Sequence, residues 1–211
     1  MLVTHRYRTN RLEAFSDGVF AIAITLLVLE IGVPLGSEAN LLEAILAEWP
    51  SYLAYLVSFA TIGAVWVAHS VITEHVEGAD PVFLRLNLLL LFFVSFLPFP
   101  TKLLGEYLGT EEEAVRVAVT FYGIALLLTS ATTSVLWGWA RHAELIGDSV
   151  RDADVRYLTH RLTPGLAGYV AIILVGVFQP VLAVLGYLLI ALFFLVPVRE
   201  LRASRRPDPS N

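Results

Sequence analysis

Apolar residues gather along this chain into six runs, each near the roughly 20 residues needed to cross the hydrocarbon core of a bilayer. They cover about 11–33, 50–72, 82–104, 114–140, 162–178 and 180–198, with short polar or charged segments between them. The pattern predicts an all-α, polytopic membrane protein with six transmembrane helices in a single domain, 1–211. Pro98 and Pro100 predict a kink or an end in the third helix. Pro164 and Gly165 interrupt the start of the fifth run, and only Gln179 and Pro180 part it from the sixth. That spacing predicts a tight helical hairpin, with a proline opening the sixth helix where its missing N–H does no harm. A re-entrant or interfacial pair is the competing reading of the last two runs. Small residues at 129–134, and Gly165, Gly168, Gly176 and Gly186, suit close helix contact.

Composition agrees with the pattern. Of 211 residues, 57% are hydrophobic and only 16% charged, and the mean hydropathy is +0.72; soluble domains are about 45–50% apolar and about 25% charged. The first run is too long, and too acidic at its start, for a cleaved signal peptide, and is read as retained. Charge matters here through its placement more than through its net value of −5. With the N-terminus inside, twelve of the fourteen Lys and Arg fall in cytoplasmic segments, including Arg6, Arg8, Arg11, Arg85, Arg141 and Arg151; only Lys102 and Arg116 fall outside. The positive-inside rule therefore predicts a multi-pass protein of the cell membrane with both termini cytoplasmic. Residues 34–49 read as an acidic outer connector whose LLEAIL segment lies along the interface. Trp49, Tyr52 and Tyr55 suit the outer aromatic belt, and Trp137 and Trp139 the inner one. Residues 141–161 read as a helical extension on the cytoplasmic face. The basic tail, about 199–211, either anchors to anionic headgroups or stays disordered. The absence of cysteine excludes disulfides and thiolate chemistry, and nucleic acid is not an expected partner.

The first helix, about 11–33, carries candidate chemistry. At about 100° per residue, with Ile22 at zero, Leu29 falls at about −20°, Leu26 at about +40°, Thr25 at about −60°, Gly18 at about −40° and Phe15 at about +20°. These residues form one face, while Ser16 and Asp17 project toward neighbouring helices. If several copies of the face met on an axis, Ile22, Leu26 and Leu29 would stack as apolar rings over about 10 Å, and such constrictions gate by excluding water. Thr25 would supply hydroxyl oxygens at the same level. The plainer reading is a core or lipid-facing stripe, with Thr25 bonded to its own backbone. Charged and polar groups in the first turns, Arg11, Ser16 and Asp17, ask for protein or water around them. Glu30 either gathers cations at the mouth of such a pore or is a solvated helix end.

The run Arg11-Leu-Glu-Ala-Phe15-Ser16-Asp17, continuing GVFAIAITLLVLEI, resembles the R-x-x-x-F-S-D signature of the transmembrane protein 175 family of potassium channels. Trp66-Val-Ala-His69 in the second run and residues 87–107 in the third, starting at Asn87, add to the likeness. One departure is Ser70, where relatives often carry a second histidine. The resemblance implies that the first helix lines the pore, with Ile22, Leu26 and Leu29 as the constriction and Thr25 as the selectivity layer. It implies potassium as the permeant ion, no filter loop of the usual T-V-G-Y-G type, and, for a single six-helix repeat, a homotetramer with a central pore.

The signature residues Arg11, Phe15, Ser16 and Asp17, with Trp66, His69 and Asn87, then read as a helix-packing network that sets the rotation of the pore helix. Alternatively, Arg11 and Asp17 merely mark the headgroup boundary, and His69 is a satisfied interior histidine. The leading expectation is passive, potassium-selective conduction with no cofactor, metal site or catalysis, and with the chain's own copies and membrane lipids as partners. A secondary transporter and a proton-permeable leak channel are the alternatives. Inverted repeats and a broken central helix are missing for the first of these, and no nucleophile–base pair or phosphate loop supports an enzyme.

Overall fold

The computed structural model describes residues 7–32, 40–147, 150–162 and 164–195. Arg6, Glu38, residues 196–198 of the sixth run and the basic tail at 199–211 lie outside them. Nine α-helices form among the described residues: α1 (Thr9–Leu26), α2 (Leu41–Ala47), α3 (Trp49–His75), α4 (Pro81–Phe96), α5 (Pro98–Tyr107), α6 (Glu112–His142), α7 (Asp152–Leu162), α8 (Pro164–Phe178) and α9 (Pro180–Leu195). Five stretches are long and apolar enough to cross a membrane: Thr9–Glu30, Trp49–His75, Pro81–Tyr107, Glu112–His142 and Asp152–Phe178. The sixth run appears as α9, apolar throughout but 16 residues long as described, about 24 Å of helix against a core of about 30 Å.

Prolines determine where the third run bends. Pro98 lacks the N–H that would reach Val94, and Leu97 N–H bonds the Val94 carbonyl instead at 3.2 Å. The chain stays helical through the break, so α4 and α5 form one kinked span. A buried chain of hydroxyls braces the bend. Thr101 donates to the Leu97 carbonyl at 2.7 Å. Since each hydroxyl has one hydrogen, Ser58 then donates to Thr101 at 2.7 Å and Tyr122 to Ser58 at 2.8 Å.

At the arginine-rich end, three loops are laced by backbone hydrogen bonds. Tyr7 and Ala79 exchange a pair at 2.8 and 2.9 Å, Glu77 N–H meets Leu145 O, and Gly147 N–H meets His75 O. Asp80 caps α4 through Phe83 N–H at 2.7 Å and accepts the Trp139 indole N–H at 3.1 Å to each oxygen. The LLEAIL segment of the outer connector forms a short helix, α2, whose Leu41, Leu42, Ile45 and Leu46 are all exposed. Of the expected helical extension at 141–161, residues 141–142 complete α6 and 152–161 lie in α7, which belongs with α8 to the fifth stretch.

Helices α8 and α9 pack as the hairpin that Gln179 and Pro180 predict. Gly165 lets Phe194 in, and Gly186 lets Ile172 in; a Cβ there would stand 2.7 and 3.0 Å from those side chains. On α6 the polar stripe turns inward. Thr129, Thr132 and Thr133 donate to carbonyls of their own helix, and Ser134 also reaches Leu162 O on α7 at 3.2 Å. The closest approach on α6 is made by Gly123 instead, where a Cβ would stand 2.0 Å from the hydroxyl of Tyr187.

Candidate functional site

Helix α1 buries one side and leaves the other bare. Leu12, Ser16, Phe20 and Ala23 are buried, as is Leu27 just beyond; at about 100° per residue they lie between about 80° and 160° from Ile22. They pack toward α3 and α4. On the opposite side Phe15 is 57% exposed, Ile22 61%, Leu26 40% and Leu29 73%, and Gly18 and Thr25 are exposed with them. The whole face picked out by helical angle is thus uncovered by its own subunit.

Past Leu26 the helix tightens into a 3-10 turn, Leu27–Glu30. With about 120° and about 2.0 Å per residue, Leu29 comes to lie over Leu26 rather than about 60° away from it. The distance from Ile22 to Leu29 grows from about 10 Å to about 12 Å. The regular-helix angle for Leu29 is corrected accordingly. Thr25 donates its hydroxyl hydrogen to the carbonyls of Ala21 and Ile22, both at 2.9 Å. A hydroxyl carries two acceptor lone pairs, so Thr25 keeps acceptor capacity for a group in front of the face.

Behind α1 a hydrogen-bonded chain crosses three helices. Asn87 on α4 donates its amide to Ser16 Oγ at 3.1 Å, and its carbonyl oxygen meets His69 Nε2 on α3 at 2.7 Å. Nε2 therefore carries the imidazole hydrogen. Ser16, His69 and Asn87 are all buried, and the Phe20 ring lies 5.5 Å from the imidazole between centroids. On the outer side of α1 the Trp66 indole donates to Asp17 Oδ1 at 2.9 Å. Five of the seven residues expected in the network are thus hydrogen-bonded, in two separate sets: Ser16, Asn87 and His69 in one, Trp66 and Asp17 in the other.

Arg11 and Phe15 are not. Both are exposed, and no hydrogen bond or ion pair among the described residues ties Arg11 to the set. The reason is angular: at about 100° per residue Arg11 falls at about −20° and Phe15 at about +20°, on the bare face with Ile22. Glu30, at the far end, pairs with Lys102 on α5 at 3.7 Å. The hydroxyl chain Tyr122–Ser58–Thr101 went unread in the sequence, because its members lie 43 and 64 residues apart with no motif joining them. No group of three His, Cys, Asp or Glu among the described residues is placed to hold a metal.

Comparison with known proteins places the chain. The family model described as "Endosomal/lysosomal potassium channel TMEM175" matches residues 11–98. A potassium channel of Streptomyces collinus is 38% identical over 202 residues, 92% of this chain and 98% of that protein. The crystal structure of a lysosomal potassium-selective channel TMEM175 homologue from Chamaesiphon minutus superposes with a TM-score of 0.80 at 40% identity, covering 88% of this chain and 95% of that one. The human endosomal/lysosomal proton channel TMEM175 is 39% identical over 141 residues, 60% of this chain but 28% of that protein. Alignment along almost the whole of a bacterial potassium channel, with the signature residues of α1 inside the matched region, establishes that this membrane protein belongs to the TMEM175 family of potassium channels.

Proposed function

We propose that four copies of this chain assemble around a central axis and that α1 of each lines a passive, potassium-selective pore. The observation that carries the reading is the division of α1. A buried polar chain of Ser16, Asn87 and His69 holds its rotation, and the side opposite presents Ile22, Leu26 and Leu29 with no cover from the subunit. Around the axis, those three residues form stacked apolar rings that expel water in the closed state. Thr25, its hydrogen committed to the backbone, offers an oxygen to a partly dehydrated potassium ion. Six helices cross the cell membrane, α8 and α9 among them, with the arginine-rich end and both termini in the cytoplasm. No cofactor takes part and no reaction is performed; lipid and the other copies are the partners.

The test is flux and reversal potential on purified protein in liposomes and planar bilayers. With a protonophore present to balance charge, an imposed potassium gradient should collapse with no fixed coupling ratio to a second ion, and under bi-ionic conditions the reversal potential should lie toward potassium and away from sodium. A flux that saturates at low concentration, or whose reversal potential reflects a fixed coupling ratio to a second ion, would indicate a transporter instead. A second reading, proton permeation, is favoured by the name of the animal relatives. A reversal potential that follows an imposed pH gradient in symmetric potassium would select it.

A further inference from the structure

Lys102 is the single lysine of the chain, set on α5 at the end of the bundle opposite the arginine-rich one. Its Nζ stands 3.7 Å from Glu30 Oε2, with the ammonium side chain half exposed. Glu30 directly follows Leu29, the last residue of the bare face. In the 3-10 turn it is rotated about 120° from Leu29, which aims its carboxylate at α5. Between these groups opens a recess of about 610 Å³ lined by Leu29, Glu30, Glu48, Ser51, Lys102 and Glu106 among others. It thus holds three carboxylates and one ammonium, and Leu29 belongs both to it and to the apolar face. The one other described cation at this end, Arg116, is taken up by Glu112 on its own helix.

We propose that Lys102 sets the supply of cations to the outer mouth of the pore by neutralising Glu30; the inference rests on α1 lining that pore. Carboxylates beside a mouth raise the local cation concentration and so the rate of entry. An ammonium 3.7 Å away turns one of them into a dipole whose field fades quickly with distance. Removing it would restore one negative charge per subunit. The effect reaches only as far as the Debye length, about 30 Å at 0.01 M salt and about 3 Å at 1 M, which separates it from a mechanical role. If the pair merely tethered the 3-10 turn to α5, breaking it would alter current at every salt concentration alike.

The experiment is single-channel conductance in uncharged phosphatidylcholine bilayers, at about 10 mM and about 1 M KCl. Lys102→Gln should raise conductance roughly two- to five-fold in the dilute salt and leave it unchanged in the concentrated one. Lys102→Arg should match the wild type, Glu30→Gln should conduct less in dilute salt, and the double variant Glu30→Gln/Lys102→Gln, with the native net charge, should return near the wild type. Equal conductance of Lys102→Gln and the wild type at about 10 mM would overturn the proposal, as would a change of the same size at both salts. If Lys102→Gln fails to fold, Glu30→Gln and Lys102→Arg carry the same comparison. Ile22→Asn measured alongside separates the two failures. Should it change conductance while Lys102→Gln does not, this inference alone falls; should neither change it, the pore reading falls and takes the inference with it.

Discussion

Ile22 and Thr25 face the same side of α1 with opposite chemistries. An isoleucine ring on a shared axis offers water no hydrogen bonds, whereas an asparagine ring of similar reach offers several. Ile22→Asn should therefore keep the pore wetted and raise potassium current roughly five-fold or more, measured in planar bilayers; an unchanged current would remove Ile22 from the constriction. Behind the same helix, Asn87 is buried and bonded on both sides. It satisfies Ser16 and His69 at once, and a buried polar group left without its partner costs about 1–3 kcal/mol. The bare face and most of the hydrogen-bonded residues behind it were readable beforehand, because helical angle and residue type suffice for a straight segment. The arithmetic that identified the bare face also places Arg11 on it, and the signature, read as one unit, obscured that. The hydroxyl of Thr25 had two open readings, and its bonds to Ala21 and Ile22 leave room for both.

Among the elements, a helix for each of the six apolar runs was legible from run length, five of them long enough to span, and the kink at Pro98 and the hairpin at Gln179 from proline chemistry. What the sequence hid was the tightening of residues 27–30, since LVLE carries no glycine or proline to signal a change of pitch, and the part played by Gly123. Replacing a helical glycine by alanine normally favours the helix by about 1 kcal/mol. Here the new methyl would meet the Tyr187 hydroxyl at 2.0 Å and Ile173 at 2.8 Å. Tyr187 is fully buried, with the Tyr122 and Tyr169 rings against it at 5.8 and 6.3 Å, so it has little room to yield. Overpacking of about 1–3 kcal/mol outweighs the propensity gain, and Gly123→Ala should unfold at lower temperature in detergent. Among the described residues the Tyr187 hydroxyl finds no hydrogen-bond partner. Tyr187→Phe should therefore cost no stability and should recover part of the loss in the double variant. Equal melting of Gly123→Ala and the wild type would show that α6 and α9 are not in close register.

At the scale of the whole molecule, each subunit covers about half of α1 and leaves the rest to something else. Lipid would suit Ile22 and Leu29 but not the exposed carboxylate of Asp17 or the guanidinium of Arg11. Closed rotational symmetry supplies cover for such a face. The intact detergent-solubilised assembly should then weigh four protomers of 23.3 kDa each, by native mass spectrometry; a mass of one or two protomers would contradict a shared axis. The proposed tetramer is not legible in the chain itself, because no single copy encodes its neighbour's position, and it rests on family likeness alone. The lacing of Tyr7 to Ala79, Glu77 to Leu145 and Gly147 to His75 has its own mechanical result. It ties the feet of α1, α3, α4 and α6 together at one end, while the tighter pitch after Leu26 and the proline bend lie toward the other. Any rearrangement of these helices is therefore most restrained where the loops are laced, and least so at the opposite end.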